Sequence, residues 1–375
     1  MIGTTKATST TSGTAGKVPS GRRWQNFADD YLPQGRWPSI LAAGLGIYLL
    51  VVFVLGIYWS VAPAQFDVRE NLVRYTNGLN VDSDETGSEQ QGEPAIPVTG
   101  AVTTAALVGV VDTLLSKPGG FLSNDHFPPG LYLDNVPNWE YGALIQSRDL
   151  ARAMREFFSR SQSQSKEDED LAVGEPRLNF QTDSWLLPAS ETKYREAIRY
   201  TNGYLRRLAD PAASNAQFYA RADNLREWLA MINTRLGSLS QRLSASVGQR
   251  RVNTDLAGDG SATQSTSAPS ELTVRTPWSE IDDVFFESRG AAWALIHFLK
   301  AAEIDFGDVL RNKNAGISLR QIIRELEATQ GVVWSPMILN GTGFGMLANH
   351  SLVMASYISR ANARIIDLRD LLSRG

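Results

Sequence analysis

The chain has 375 residues, of which 43% are hydrophobic and 20% charged, and its formal net charge is −4. That profile suits a folded protein and supplies no global field that would draw in nucleic acid. There is no cysteine, and the three histidines, His126, His297 and His350, are scattered. Disulfides, thiolate chemistry and a histidine-rich metal centre are thereby excluded, and no cofactor is expected.

The first twenty residues are rich in Thr, Ser and Gly, and residues 1–36 are predicted to form a disordered cytoplasmic tail. From Ile40 to Val61 the chain reads ILAAGLGIYLLVVFVLGIYWSV, without a charge. As a helix this run is roughly 33 Å long, enough to cross a hydrocarbon core of about 30 Å. Trp37 stands at one end and Tyr58 and Trp59 at the other, where aromatic rings favour the membrane interfaces. Pro38 suits a helix start and Pro63 a stop. The predicted transmembrane helix therefore covers 37–62, marked by Trp37, Ile40, Trp59 and Val61, with the lipid bilayer as its partner. A cleaved signal peptide has a cleavage-like Ala62-Pro63-Ala64, but the apolar run is too long and the tail before it too extended. A buried core helix of this length, uncharged all round, is the rarer alternative. Lys6, Lys17, Arg22, Arg23 and Arg36 precede the span, whereas Arg69 and Arg74 are the nearest basic residues beyond it. That bias predicts an N-terminus in the cytoplasm and a main body, from about residue 65 onward, in the periplasm.

The body is expected to be mainly α: a large antiparallel helical bundle, in a first part over 65–252 and a C-terminal part over 277–375 that packs on the same bundle. Residues 81–97 form an acidic loop. Asp82, Asp84, Thr86, Gly87 and Glu93 fall at calcium-loop positions, but Glu89 occupies an apolar position and Pro94 blocks an exit helix, so the loop is read as solvated. Residues 99–116 predict a helix buried on much of its surface. Asn138 is placed as the cap of a helix running to about Ser161, and Ser190 opens another. Ser214 and Gln217 form a capping box ahead of Phe218, Ala222, Leu225, Leu229, Ile232, Leu236, Leu239 and Leu243, an apolar seam at spacings of four and three. A flexible linker is expected over 253–276. Ser279 with Asp282, and Ser318 with Gln321, repeat the capping signal. A last helix from about Met346 to Ser373 carries a second seam, Met354, Ile358, Ala361, Ile365, Leu368 and Leu372. A parallel coiled-coil oligomer is the alternative to packing within one chain. A small hairpin is expected at 177–187, around Phe180 and Trp185.

The least helical stretch, 117–140, reads KPGGFLSNDHFPPGLYLDNVPNWE, and its aromatics are expected to pin its turns onto the bundle. Asp125, His126, Asp134 and Glu140 are its polar groups. As a cluster they could serve acid/base work or bind a metal; as isolated residues they cap turns and a helix. No ligand spacing or nucleophile motif accompanies them. Lys117-Pro-Gly-Gly lacks the ending of a phosphate loop, and Gly341-Thr-Gly-Phe-Gly lacks a preceding strand. His297, between Ile296 and Phe298, reads as a hydrogen-bonded core histidine.

The passages KPGGFLSNDHFPPGLYLDNVPNWEYGALIQSRDLARAM, FSRSQSQS and QFYARADNLREWLAMINTRLGSLSQRLSASVGQ resemble a proteobacterial single-pass inner-membrane protein family of unknown function, over most of the chain from about residue 45. The resemblance implies an envelope-facing protein and transfers no catalytic residue. The sequence thus predicts an anchored envelope scaffold or interaction protein, with an envelope protein or a second copy as partner. Two alternatives are an anchored hydrolase-like enzyme using the carboxylates of 117–140, and a small-ligand sensor whose pocket that loop forms.

Overall fold

The computed structural model describes residues 36–77, 98–160, 166–210, 212–213, 215–252, 271–335, 337–341 and 346–374. Among these the fold is mainly α, with eleven α-helices and one two-stranded antiparallel sheet. The chain divides into two compact units, one ending at Leu55 and one starting at Gly56. The first holds most of α1 (Arg36–Trp59), the one helix among the described residues that is long and apolar enough to cross a membrane. A helix apolar on every side belongs either inside a core or in lipid. None of the apolar window of α1 is buried, so the core-helix alternative falls.

The second unit contains α2 (Val68–Asn77), α3 (Ala101–Ser116), α4 (Asn135–Ala153), α5 (Glu169–Leu178), α6 (Ser190–Ala209), α7 (Ala222–Ser244), α8 (Ile281–Asp305), α9 (Gly307–Asn312), α10 (Gly316–Ala328) and α11 (His350–Ser373). Two helices form its centre. α3 is buried without a break from Ala101 to Val111, and α8 from Ser288 to Leu299. Both are apolar round most of their circumference and must be enclosed. α6 packs on α3, while α4 and α10 pack on α8. α4 and α8 approach backbone to backbone at two glycines. A Cβ on Gly142 would lie 2.0 Å from the Glu287 carbonyl oxygen, and one on Gly290 would lie 1.8 Å from that of Trp139. Only a hydrogen fits at either place. α7 pairs with α11, and all the seam residues from Leu225 to Leu243 and from Met354 to Leu372 are buried. The heptad spacing therefore serves packing within one chain.

Helix ends depart from the sequence reading. α3 starts after Gly100 (φ 91°), which has no side chain to cap it. Asp305, at the far end of α8, takes over: its Oδ2 accepts the Thr103 N–H at 2.6 Å. α4 begins at Asn135 rather than Asn138, because Asp134 accepts the Asn135 N–H, and it ends in a π-turn at Met154–Phe158. Ser214 lies outside the described residues, and α7 starts only at Ala222. The stretch before it is held non-helical by long-range bonds: Tyr219 N–H donates to the Phe158 carbonyl and Tyr204 Oη–H to that of Gln217, both at 2.7 Å. α8 enters through a 3-10 turn at Trp278–Glu280 with no capping side chain, so Ser279 and Asp282 form no box. α10 starts at Gly316, ahead of Ser318, and α11 starts at His350 rather than near Met346.

No strand occurs at 177–187. Arg177 and Leu178 end α5, and turns come next. The hairpin lies elsewhere: β1 (Gln249–Val252) pairs with β2 (Glu271–Val274), Gln249 facing Val274 and Val252 facing Glu271. β2 thus occupies part of the stretch expected as a linker. Residues 253–270, the acidic loop 81–97 and the tail 1–35 lie outside the described residues.

Candidate functional site

The loop between α3 and α4 carries three of the four polar candidates, and Glu140 comes after it in α4. Glu140 is fully buried, and its Oε1 lies 2.6 Å from Lys117 Nζ. It also accepts the Leu122 N–H (2.8 Å), the Ser123 N–H (2.9 Å) and the Ser123 hydroxyl (2.5 Å). Lys117 Nζ donates further to the Gly120 carbonyl at 2.6 Å. The carboxylate therefore organises the start of the loop. Burial raises its pKa, opposed by Lys117 and by the amide and hydroxyl donors. Asp134 caps α4. Asp125 is half-buried against Gly130, where a Cβ would overlap its carboxyl. Its pKa is raised by burial and by Glu191, and held back by Lys117 and His126. His126 is exposed, its ring edge-on to Trp185 at 5.4 Å. Among the described residues no group of three or more His, Asp or Glu could hold a metal ion.

A cleft of about 610 Å³ opens elsewhere in the same unit. One wall is the connection Trp59–Gln65. Asn135, Val136 and Trp139 come from the first turns of α4, Phe286, Arg289 and Trp293 from α8, and Gln330, Val332, Val333 and Ser335 from the chain after α10. Lys117 closes one side, its charge offset by Glu140. The lining is mostly apolar, with a few polar groups, the usual make-up of a small-molecule site. Trp59 is fixed there by Gly119. That residue has φ +84°, and a Cβ on it would come within 2.7 Å of the indole.

Arg289 is the distinctive group. It is buried, and among the described residues no carboxylate lies within ion-pair distance of it. Its guanidinium donates to two carbonyls beyond the end of α10, Gly331 at 2.8 Å and Gln330 at 3.3 Å. Burial alone draws its pKa down. A cation near carbonyls at a helix C-terminus is favourable. However, that arrangement leaves a whole positive charge beside an apolar cleft. The indole N–H groups of Trp139 and Trp293, on the same walls, also find no acceptor among the described residues.

A family model described as an uncharacterised protein conserved in bacteria (DUF2333) matches residues 33–375. The chain belongs to this family. The match takes in α1 and every residue of the cleft. No curated protein and no solved structure matches the chain.

An aromatic ladder ties the cleft to the core of this family member. The ring centroids of Trp139 and Trp293 lie 5.2 Å apart, those of Trp293 and His297 4.5 Å, and those of His297 and Phe66 4.0 Å. His297 is the core histidine that the sequence suggested, with a definite tautomer. Its Nε2 accepts the Phe66 N–H at 3.1 Å, so the proton sits on Nδ1 and is donated to the Trp293 carbonyl at 2.8 Å. Burial lowers its pKa to about 4. Arg289, Trp139 and Trp293 are not among the sequence candidates. A signal for Arg289 exists all the same: it is one cation inside the otherwise uncharged run Ser288 to Leu299.

Proposed function

We propose that the chain is a membrane-anchored, envelope-facing binding module that is not catalytic, and that its cleft holds an anionic amphiphile. The observation that carries this reading is Arg289, a buried cation on the wall of an apolar cleft, with no carboxylate within ion-pair distance of it among the described residues. A phosphate or carboxylate head would supply the missing charge, and the Trp, Val and Phe walls would take an apolar tail.

The segment after α1 supports the anchor reading. Trp59 packs on Gly119, and Phe66 is bonded to His297 and stacked on it. A signal-type cut at Ala62–Ala64 would sever this wall of the cleft, so the geometry favours an uncleaved anchor. The excess of Lys and Arg before α1 favours a cytoplasmic N-terminus and a periplasmic body at a bacterial inner membrane.

The test is thermal melting of the full chain in phosphatidylcholine nanodiscs. Dodecyl phosphate should give a saturable rise in Tm, by linkage of binding to folding. Dodecanol and inorganic phosphate should each give a much smaller rise, and Arg289→Gln should abolish the response to dodecyl phosphate. An equal response in Arg289→Gln and wild type would overturn the assignment. Turnover abolished by Asp125→Asn or Asp134→Asn in a folded chain would restore the enzymatic alternative.

A further inference from the structure

The aromatics expected to pin the 117–140 loop onto the bundle divide into two groups. Phe121 and Trp139 are buried, but Phe127 is 72% exposed, Tyr132 70%, and Leu131 lies open between them. A second loop, Trp185–Leu187, is exposed as well, reaching 89% at Leu187. Neither stretch carries a formal charge: 126–133 reads HFPPGLYL and 184–189 reads SWLLPA. Large apolar side chains on neighbouring exposed loops are the mark of an interaction surface rather than of scattered surface residues.

The two loops are one structure. The buried Asn124 donates through Nδ2 to the Ser184 carbonyl and to Glu191 Oε2, both at 2.8 Å. The His126 ring meets that of Trp185. The second loop is closed on itself: Ser184 Oγ–H donates to the Pro188 carbonyl (2.8 Å) and Ser190 N–H to that of Ser184 (2.9 Å). Leu187 is held at φ 41°, a region that residues with a Cβ seldom occupy, and its side chain still projects into solvent. These side chains are therefore presented by fixed backbone.

The position of the patch selects its partner. Gly56, in the last turn of α1, lies against the first loop: a Cβ there would be 3.8 Å from both Leu133 Cδ2 and Pro129 Cβ. Trp59, one turn on, rests on Gly119 of the same connection. The exposed residues thus flank the turn at which an anchored chain leaves the hydrocarbon, where Tyr and Trp rings and short apolar side chains partition into the headgroup layer. We infer that Phe127, Leu131, Tyr132, Trp185, Leu186 and Leu187 form a second membrane contact, dipping into the outer part of the same leaflet through which α1 exits. This inference rests on the anchor reading of α1 and is independent of the ligand assigned to the cleft.

The chain has no cysteine, so single labels can be placed cleanly. Leu131→Cys and Leu187→Cys, each carrying an NBD fluorophore, are reconstituted as full-length protein in vesicles of phosphatidylcholine and phosphatidylglycerol. Ile47→Cys in α1 and Ile317→Cys, exposed on α10, are the references, and all four variants are first matched to wild type in melting temperature. The expected result is blue-shifted emission at 131 and 187, lost to lipids spin-labelled near the headgroup. Ile47→Cys should be quenched by lipids labelled deep in the chain, and Ile317→Cys by neither. Water-like, unquenched emission at 131 and 187 with Ile47→Cys still quenched overturns the second contact and leaves the anchor standing. Loss of quenching at Ile47→Cys as well overturns both. Emission that is shifted and shielded from aqueous iodide, yet indifferent to spin-labelled lipid, also overturns the proposal and points to a protein covering the patch.

Discussion

Gly290→Ala is the most demanding perturbation of the interior. The new Cβ would sit 1.8 Å from the Trp139 carbonyl oxygen, an atom of helix backbone that no rotamer change can move. An ordinary C···O contact needs about 3.3 Å, so α4 and α8 would have to separate by about 1.5 Å. Overpacking costs typically about 1–3 kcal/mol, and here the separation also loosens Trp139, Ala143, Leu144 and Trp293, so at least about 3 kcal/mol is expected. At about 2.1 cal/mol/K of unfolding entropy per residue, a unit running from Gly56 to Gly375 shifts its Tm by about 1.5 °C for each kcal/mol, which gives a fall of at least about 4–5 °C. Helical circular dichroism of the full chain in detergent reads the shift. Gly316→Ala is the control, since a Cβ there meets nothing within 4 Å, and it should leave Tm unchanged or slightly raised. Because Trp139 and Trp293 also line the cleft, Gly290→Ala should weaken dodecyl phosphate binding too. Wild-type melting in Gly290→Ala would refute the close crossing of α4 and α8, and with it this account of the cleft walls.

Glu140→Gln leaves Lys117 buried without its counter-charge and should cost about 3–5 kcal/mol in urea unfolding; an unchanged midpoint would show that the pair is not buried. His297 gives a pH signature. The unfolded histidine takes up a proton below about 6.5, whereas the folded one resists until about 4. Its contribution is therefore complete above pH 6.5 and is lost as pH falls from there toward 4, by about 3 kcal/mol in total. Glu140 and Asp305, whose pKa values are raised by burial, titrate with the opposite sign, so the quantity to measure is the difference between the wild-type and His297→Gln stability profiles. A flat difference would contradict the neutral, doubly bonded imidazole. Gly119→Ala meets both a positive φ and the Trp59 ring, and should lower Tm while reducing the protection of Trp59 from aqueous quenchers.

Features that depend on local periodicity are legible in the sequence. The seams at Leu225–Leu243 and Met354–Leu372 repeat at helical spacing and are buried as expected, and the uncharged run from Ile40 lies on α1. Helix starts are less legible, because local capping signals lose to long-range bonds. α3 is capped by Asp305 from across the fold, and the stretch before α7 is held by Phe158 and Tyr204. The hairpin lies away from its expected place because Phe180 and Trp185 look like strand residues, whereas β1 and β2 are short, polar and mostly exposed. The cleft is hidden for a similar reason. Its residues come from five separated stretches, and Trp139 and Trp293 look like ordinary core until the Gly142–Gly290 crossing brings them together. Glu140 stands out in the sequence for the right property, a carboxyl in an unusual setting, but its partner Lys117 makes it the organiser of a loop.

Whether α1 stays attached and holds the body at a bilayer is read from the intact mass of the protein in alkaline-washed membranes. The expected result is the full-length mass, with residues 1–64 present, recovered in the membrane pellet. A product beginning near Gln65 and released to the supernatant would contradict it.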